Sequence, residues 1–275
     1  MDFLTDLFQY RFLTNALAAC LLSGLVCGIV GSYVVCRRTV FLSGGITHAS
    51  LGGIGIAYYM GLNPVVGAAV FAVASALGIE AASAHGKVRE DSAIGIVWSV
   101  GMAVGVIFIY LTPGYAPNLM SFLFGNILTV TTADIVCLAV LAAVVALLFA
   151  VWGRQIVYVA FDRSYARSQG VPDGVVSCLM SVVTALAIVF SIRTVGIVLL
   201  LSLLTIPAVI ANSLTRSFGR MCAWAALFAV MGNFGGLWFS YALDIPAGAA
   251  AVFILAAILA AVKLGVRAAR PPRAN

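Results

Sequence analysis

Apolar stretches of about 20 residues recur along the whole chain and constrain its fold more than any other feature. Such a stretch, wound as an α-helix, crosses the ~30 Å hydrocarbon core of a bilayer. The composition agrees, since 63% of the 275 residues are apolar and only 9% are charged. The chain is therefore predicted to be an all-α polytopic membrane protein with about 8–9 transmembrane helices. The candidate spans are 12–36, 43–61, 63–81, 92–112, 133–152, 175–192, 195–212, 221–241 and 246–263.

Basic residues predict the orientation of these spans. Thirteen of the fifteen Lys and Arg residues fall in alternate connections, and only Arg11 and Arg193 fall on the other side. Because cytoplasmic loops carry the excess of Lys and Arg, the basic side is predicted to face the cytoplasm. The C-terminus is then inside, as expected for a multi-pass protein of a bacterial cytoplasmic membrane. The net charge of +6 follows from this bias and indicates no nucleic-acid partner.

No connection between the spans is long enough to form a soluble catalytic domain. The longest one on the basic side covers about residues 153–174, and the chain contains no GxxxxGK[ST] phosphate-binding loop. Residues 1–275 are accordingly taken as a single transmembrane domain without enzymatic activity. If ATP drives transport, a separate chain must hydrolyse it.

The stretch "FLSGGITHASLGGIGIAYYMG", residues 41–61, contains no Asp, Glu, Lys or Arg but does contain His48. At ~1.5 Å per helical residue, His48 lies about 15 Å beyond Arg38, near the middle of the membrane. Ionisable groups inside membranes usually face the bundle interior or a transport pathway, and imidazole is a common ligand of transition metals. Two interpretations stay open, a pathway ligand and a hydrogen-bonded structural histidine. The space beside the ring comes from glycines one helical turn away, Gly44, Gly45 and Gly52.

The same stretch carries a small residue at every fourth position, beginning at Gly45 and ending at Ala57. Small residues at this spacing allow two helix backbones to approach closely in a membrane. The pattern predicts tight packing of this helix against a neighbour.

The segment "VAFDRSYARSQGVPDG", residues 159–174, is polar where its surroundings are apolar. A short helix is predicted to start at Asp162 and end at Gly170, because Pro172 and Gly174 prevent its continuation. The segment is either a solvated connector or a docking helix for a cytoplasmic partner.

Six segments in this order resemble the permease subunit of bacterial ABC importers for transition metals, which take up zinc, manganese or iron. The resemblance spans almost the whole chain. The segments are "SYVVCRRTVFLSGGITHASLGGIGIAYYMG", "DSAIGIVWS", "FLFGNILTVTTADI", "FDRSYARSQGV", "VGIVLLLSLLTIPAVIANSLTRS" and "SYALDIPAGA".

The resemblance implies a type II ABC importer-like permease that pairs with a second permease protomer, most simply as a homodimer, with the pathway at their interface. Cytoplasmic ABC ATPase subunits would dock on the residues of the fourth segment that match the family pattern, and an extracytoplasmic metal-binding protein would deliver the ion. The cargo is a divalent metal ion, ATP is bound by the partner, and no cofactor is held permanently. The matching docking residues are Asp162, Ala166, Gly170 and Val171.

The chain departs from the family pattern beside the histidine. Family members often carry an Asp four residues before this His, and here Gly44 occupies that place. His48 is a candidate transient metal ligand, with Gly44, Gly45 and Gly52 lining the pathway, but it has no carboxylate one turn away. Because carboxylate, carbonyl and water ligands suit manganese, the departure disfavours manganese and leaves zinc and iron open.

Three alternatives to a bare-ion permease fit the sequence less well. A permease for metal chelates such as siderophores, haem or cobalamin has a similar architecture, but usually a longer chain and a wider pathway. An ion-coupled secondary carrier needs carboxylates or broken helices inside the membrane, and no Asp or Glu lies in the middle of a candidate span. An intramembrane hydrolase is disfavoured because neither a GxSxG nor an HExxH motif occurs.

Overall fold

The computed structural model describes residues 9–84, 88–113, 125 and 127–268. Within these ranges the chain forms ten α-helices and one short 3-10 turn at Ile127–Thr129, and it contains no β-strand. The helices are α1 (Arg11–Cys36), α2 (Val40–Tyr59), α3 (Pro64–Ala84), α4 (Glu90–Leu111), α5 (Thr132–Phe161), α6 (Arg163–Ser168), α7 (Asp173–Val195), α8 (Ile197–Leu214), α9 (Phe218–Leu243) and α10 (Ala247–Ala268).

Each of the nine predicted spans corresponds to one apolar helix of the described residues, which confirms the all-α polytopic fold. Eight of the described helices are long and apolar enough to cross a membrane. The remaining apolar helix, α8, is shorter and continues through Pro207. A proline is tolerated there because neighbouring groups in a membrane bundle can satisfy the carbonyl it frees.

The chain reverses direction through tight turns at the ends of the helices. Between α1 and α2 only three residues intervene, and Arg38 adopts a left-handed backbone with φ of 62°. Gly196, with φ of 88°, is the single residue between α7 and α8. The end of α1, the start of α2, the end of α3 and the helix α6 lie together, and this side of the bundle is called the α6 end below.

Helix α5 is longer than its predicted span. The pattern predicted residues 133–152, but the helix continues to Phe161 past a kink at Trp152, where φ is −111° and ψ is 16°. The segment predicted as a connection therefore begins as helix. Only the part from Asp162 to Pro172 forms the separate short helix and its flanking turns.

Small residues let α2 lie between α3 and α4 at very short separation. A Cβ added to Gly55 would lie 2.5 Å from the carbonyl oxygen of Gly105 in α4, and one added to Gly53 would lie 2.7 Å from the Cβ of Phe71 in α3. Backbones this close are typical of small-residue helix interfaces in membranes. The predicted tight packing of the histidine-bearing helix is present and involves two neighbours.

Candidate functional site

His48 stacks on an aromatic ring contributed by the neighbouring helix. The imidazole and the indole of Trp98 in α4 are almost parallel, at 4°, with ring centroids 4.4 Å apart. The indole N–H donates a hydrogen bond to Sδ of Met102, one turn further along α4, at 3.2 Å. Trp98 is thereby held from two sides, and its stacking orients the imidazole ring.

Space beside the imidazole is left by Gly44. A Cβ at this position would lie 3.5 Å from a methyl of Leu201 in α8 and 4.0 Å from the indole ring of Trp98. These are ordinary van der Waals separations, so a small side chain fits without displacing its neighbours. Gly44 is buried and His48 is half-buried, and the two lie where α2, α4 and α8 meet, next to the uncharged side chains of Trp98 and Leu201.

The other two predicted pathway glycines have a different environment. A Cβ on Gly45 would lie 2.6 Å from a methyl of Ile94, and one on Gly52 would lie 2.8 Å from the carbonyl oxygen of Gly101. Both positions serve the close packing of α2 against α4. That Gly45 and Gly52 also line a pathway stays a prediction.

The described residues contain no group of three or more His, Cys, Asp or Glu side chains that could hold a metal ion. His48 therefore offers one strong ligand rather than part of a preformed cage. A lone imidazole suits brief contact with a passing ion, which would complete its coordination with water or carbonyl oxygens.

The short polar helix α6 has the start that the sequence predicted. The Asp162 carboxylate accepts hydrogen bonds from the backbone N–H groups of Ser164, at 2.8 Å, and Tyr165, at 3.1 Å. An aspartate in this position satisfies donors that a helix otherwise leaves free.

The end of α6 is equally well defined. Gly170 adopts a left-handed φ of 74°, and the Val171 N–H returns to the carbonyl of Ala166 at 3.0 Å. Ala166 itself is fully buried. The four predicted docking residues thus cap, terminate and anchor one compact turn of helix.

A buried ionic cluster at the α6 end was not predicted. Glu80, near the end of α3, receives hydrogen bonds from Arg37 at 2.8 Å and from Arg163, the first residue of α6, at 2.6 Å. Arg163 also donates to the hydroxyl of Ser177 in α7 at 2.6 Å. The side chains of Arg37 and Glu80 are each only 8% exposed.

Arg37 stays charged in this cluster. Burial lowers the pKa of its guanidinium, but the neighbouring Tyr33 and Glu80 outweigh that effect and leave the pKa above its ordinary value. Arg37 also donates to the Tyr33 hydroxyl at 3.1 Å. The sequence showed Arg37 only as part of a basic pair, because its partners lie 43 and 4 positions away and the Glu80 pairing depends on the fold.

Comparison with known proteins defines the family. The profile of the ABC 3 transport family matches residues 9–265. The chain belongs to the ABC 3 transport family. It is 36% identical to an uncharacterised membrane protein of Synechocystis over 94% of this chain and 92% of that protein. It is 34% identical to the manganese transport system membrane protein MntC of Listeria monocytogenes over 92% of this chain and 90% of that protein.

A solved structure shares the fold of this ABC 3 family chain. PsaBC from Streptococcus pneumoniae, in complex with Fab, matches with a TM-score of 0.86 and 29% identity over 95% of this chain and 94% of that chain. The predicted resemblance to ABC metal permeases is therefore confirmed at the level of the family. The chain is a membrane transport component rather than an enzyme.

Proposed function

We propose that this chain is the permease subunit of an ATP-driven importer of divalent transition-metal ions in a bacterial cytoplasmic membrane. The observation that carries the proposal is the position of His48, a side chain of a type that binds transition metals, half-buried among uncharged groups within a candidate membrane span. Membership of the ABC 3 transport family supports transport rather than catalysis as its use.

In this proposal His48 contacts the ion during passage and does not retain it. The imidazole offers a nitrogen lone pair, and Gly44, one helical turn earlier, adds no side chain beside the ring. When the ring binds a cation it becomes more positive, and its stack on the indole of Trp98 becomes more favourable. A single strong ligand gives a shallow site, which lets the ion leave towards the cytoplasm.

A second copy of the permease is proposed to complete the pathway. His48 is only partly buried within one protomer, and the apolar side chains of α4 include Tyr110, which is 89% exposed. An interface that includes the exposed part of His48 would place two histidines near one path. An extracytoplasmic metal-binding protein delivers the ion to the end opposite α6, and the C-terminus lies in the cytoplasm.

In the proposed permease pair, one ABC ATPase subunit docks on the α6 of each protomer. This helix is polar, well capped and exposed at its middle, where Tyr165 is 48% exposed. Asp162 fixes its start, Ala166 anchors its buried side, and Gly170 with Val171 returns the chain to α7. ATP binding and hydrolysis on the partners would move α6 and change the access of the pathway.

Manganese is the first candidate ion among zinc, iron and manganese, because relatives at 34% identity are named for manganese transport. Gly44, which removes the usual carboxylate, argues in the opposite direction. The two observations are compatible if the binding protein selects the ion and the permease only conducts it.

The test is elemental accumulation in metal-starved cells that are offered zinc, manganese and ferrous iron together. Cells with the permease, its ATPase and its binding protein are compared with cells whose ATPase is inactivated. ATPase-dependent enrichment of one metal is expected. If the assembled complex enriches none of the metals, the bare-ion proposal fails, and uptake of chelated metal becomes the reaction to measure.

A further inference from the structure

We infer that Glu80 links the ATPase-docking helix to the helix that carries His48, and that Arg163 is the α6 side of this link. The inference rests on the proposed function, because it assigns α6 to ATPase docking. It makes Glu80, Arg163 and Arg37 positioning residues for transport, which touch neither the ion nor ATP.

The contacts of Glu80 reach elements that are distant in sequence. Its Oε1 accepts from Nη2 of Arg163 at 2.6 Å, and its Oε2 accepts from Nη2 of Arg37 at 2.8 Å. Oε2 also lies 3.4 Å from the hydroxyl of Ser181 in α7. Both carboxylate oxygens are thus used, and one side chain joins α3, α6, α7 and the end of α1.

The cluster contains two positive groups and only one negative group. Arg163 therefore does more than neutralise Glu80. Two guanidinium groups share one carboxylate, and the pair formed by Arg37 and Glu80 is the buried, charge-balanced one, with each side chain 8% exposed. Arg163 is 34% exposed and adds a second positive charge that neutrality does not require. What Arg163 adds is a connection from α6 to the bundle.

From Arg37 the route to the candidate pathway is short. Arg37 immediately follows the last residue of α1, Cys36, and α2 begins three residues later at Val40. His48 lies eight residues into α2, about 12 Å along the helix at ~1.5 Å per residue. A displacement of Arg163 would therefore act through Glu80 and Arg37 on the turn from which α2 starts.

Such a chain of hydrogen-bonded and packed groups can carry coupling when the element at its end has two arrangements. In the proposed cycle α6 is that element, because it moves with the ATPase. Breaking the link should leave a complex that assembles and hydrolyses ATP without delivering the ion.

The experiment replaces Arg163 by Met in the complete complex with its ATPase and binding protein, reconstituted in lipid vesicles. The substitution keeps the buried Arg37–Glu80 pair neutral, so the fold is expected to be retained. Arg163→Lys keeps the charge and serves as the conservative variant. Arg89→Met is the matched control, since Arg89 forms an ion pair with Asp91 in which its side chain is 85% exposed.

For Arg163→Met we expect normal amounts of assembled complex and at least a tenfold rise in ATP hydrolysed per manganese, zinc or iron ion imported. Arg163→Lys should recover most of the wild-type ratio, and Arg89→Met should stay within twofold of it. An unchanged ratio for Arg163→Met would overturn the inference. Loss of assembly in that variant would also overturn it, because the link would then be structural. If the wild-type complex imports none of the ions, the proposed function fails instead.

Discussion

The surroundings of His48 and the cluster around Glu80 use opposite physical means to hold helices together. Around His48 the contacts are aromatic stacking and close backbone packing, without a charged group among the neighbours described above. Around Glu80, two arginines and a carboxylate form short hydrogen bonds at the end of the bundle. One region is held by shape and the other by charge.

The difference fits the separate tasks that we propose for the two regions. A fixed carboxylate beside His48 would bind a divalent ion more strongly and slow its release, whereas a neutral imidazole holds it weakly. At the α6 end, strong directional contacts are useful because, in the proposed cycle, a movement of α6 must displace the start of α2. The following predictions test this division, beginning with the largest expected effect.

Replacing Glu80 by Leu should be the most damaging change. It leaves two guanidinium groups close together without their carboxylate, and breaking a buried ion pair on one side costs about 3–5 kcal/mol. Thermal unfolding of the purified protein should show a large loss of stability. The matched variant Glu80→Leu, Arg37→Met, Arg163→Met removes all three charges and should recover much of it. Equal stability of the single and triple variants would mean that charge does not hold this region.

The stability of the close packing around α2 should depend on side-chain volume rather than on charge. Gly53→Ala places a methyl group 2.7 Å from the Cβ of Phe71 and should destabilise the protein by about 1–3 kcal/mol, the usual cost of overpacking. Gly78→Ala is the control on α3, because a Cβ there meets nothing within 4 Å. Thermal unfolding in the same detergent compares them. Similar melting temperatures would show that α2 is packed less tightly than described.

Removing the cap of α6 should have an intermediate effect on docking. Asp162→Ala loses two hydrogen bonds to backbone N–H groups. Loss of an N-cap costs about 1 kcal/mol, which corresponds to roughly a fivefold weaker ATPase affinity if docking requires the formed helix. Ser168→Ala, which removes a hydrogen bond to the Tyr165 carbonyl, is the control near the other end of α6. If the Asp162→Ala variant binds the ATPase with unchanged affinity, docking does not depend on a formed α6.

The smallest effect is expected from restoring the carboxylate that the family pattern places near the histidine. The Cβ of Gly44→Asp would make ordinary van der Waals contact, at 3.5 Å from a methyl of Leu201. A carboxylate ligand favours manganese, so competitive uptake should shift a few-fold towards manganese over zinc. Gly44→Asn has a similar size without the charge and should not produce the shift. The same preference in both variants would exclude an electrostatic contribution from this position.

Periodicity and spacing predicted most of the fold but few of the contacts that matter. Long apolar runs and the Asp162-to-Gly170 pattern are local, so the helices and the start of α6 could be read directly from the chain. Trp98 beside His48 and Glu80 between two arginines were missed, because residues 50, 43 and 83 positions apart meet only after packing. Arg37 shows what local patterns cannot predict. As one of the thirteen basic residues it indicated only the orientation of the spans, but in the structure it also belongs to the buried cluster around Glu80.

The most direct test of the account is the initial rate of ATP-driven metal uptake into vesicles that contain the assembled complex with His48→Ala. Ser50→Ala is the control, because Ser50 lies buried on the same helix and its hydroxyl bonds only to the Thr47 carbonyl among the contacts described. We predict a fall of at least tenfold for His48→Ala, with normal assembly and ATPase binding, and no more than a twofold change for Ser50→Ala. Wild-type uptake by the His48→Ala complex would contradict the central claim and make His48 a packing residue.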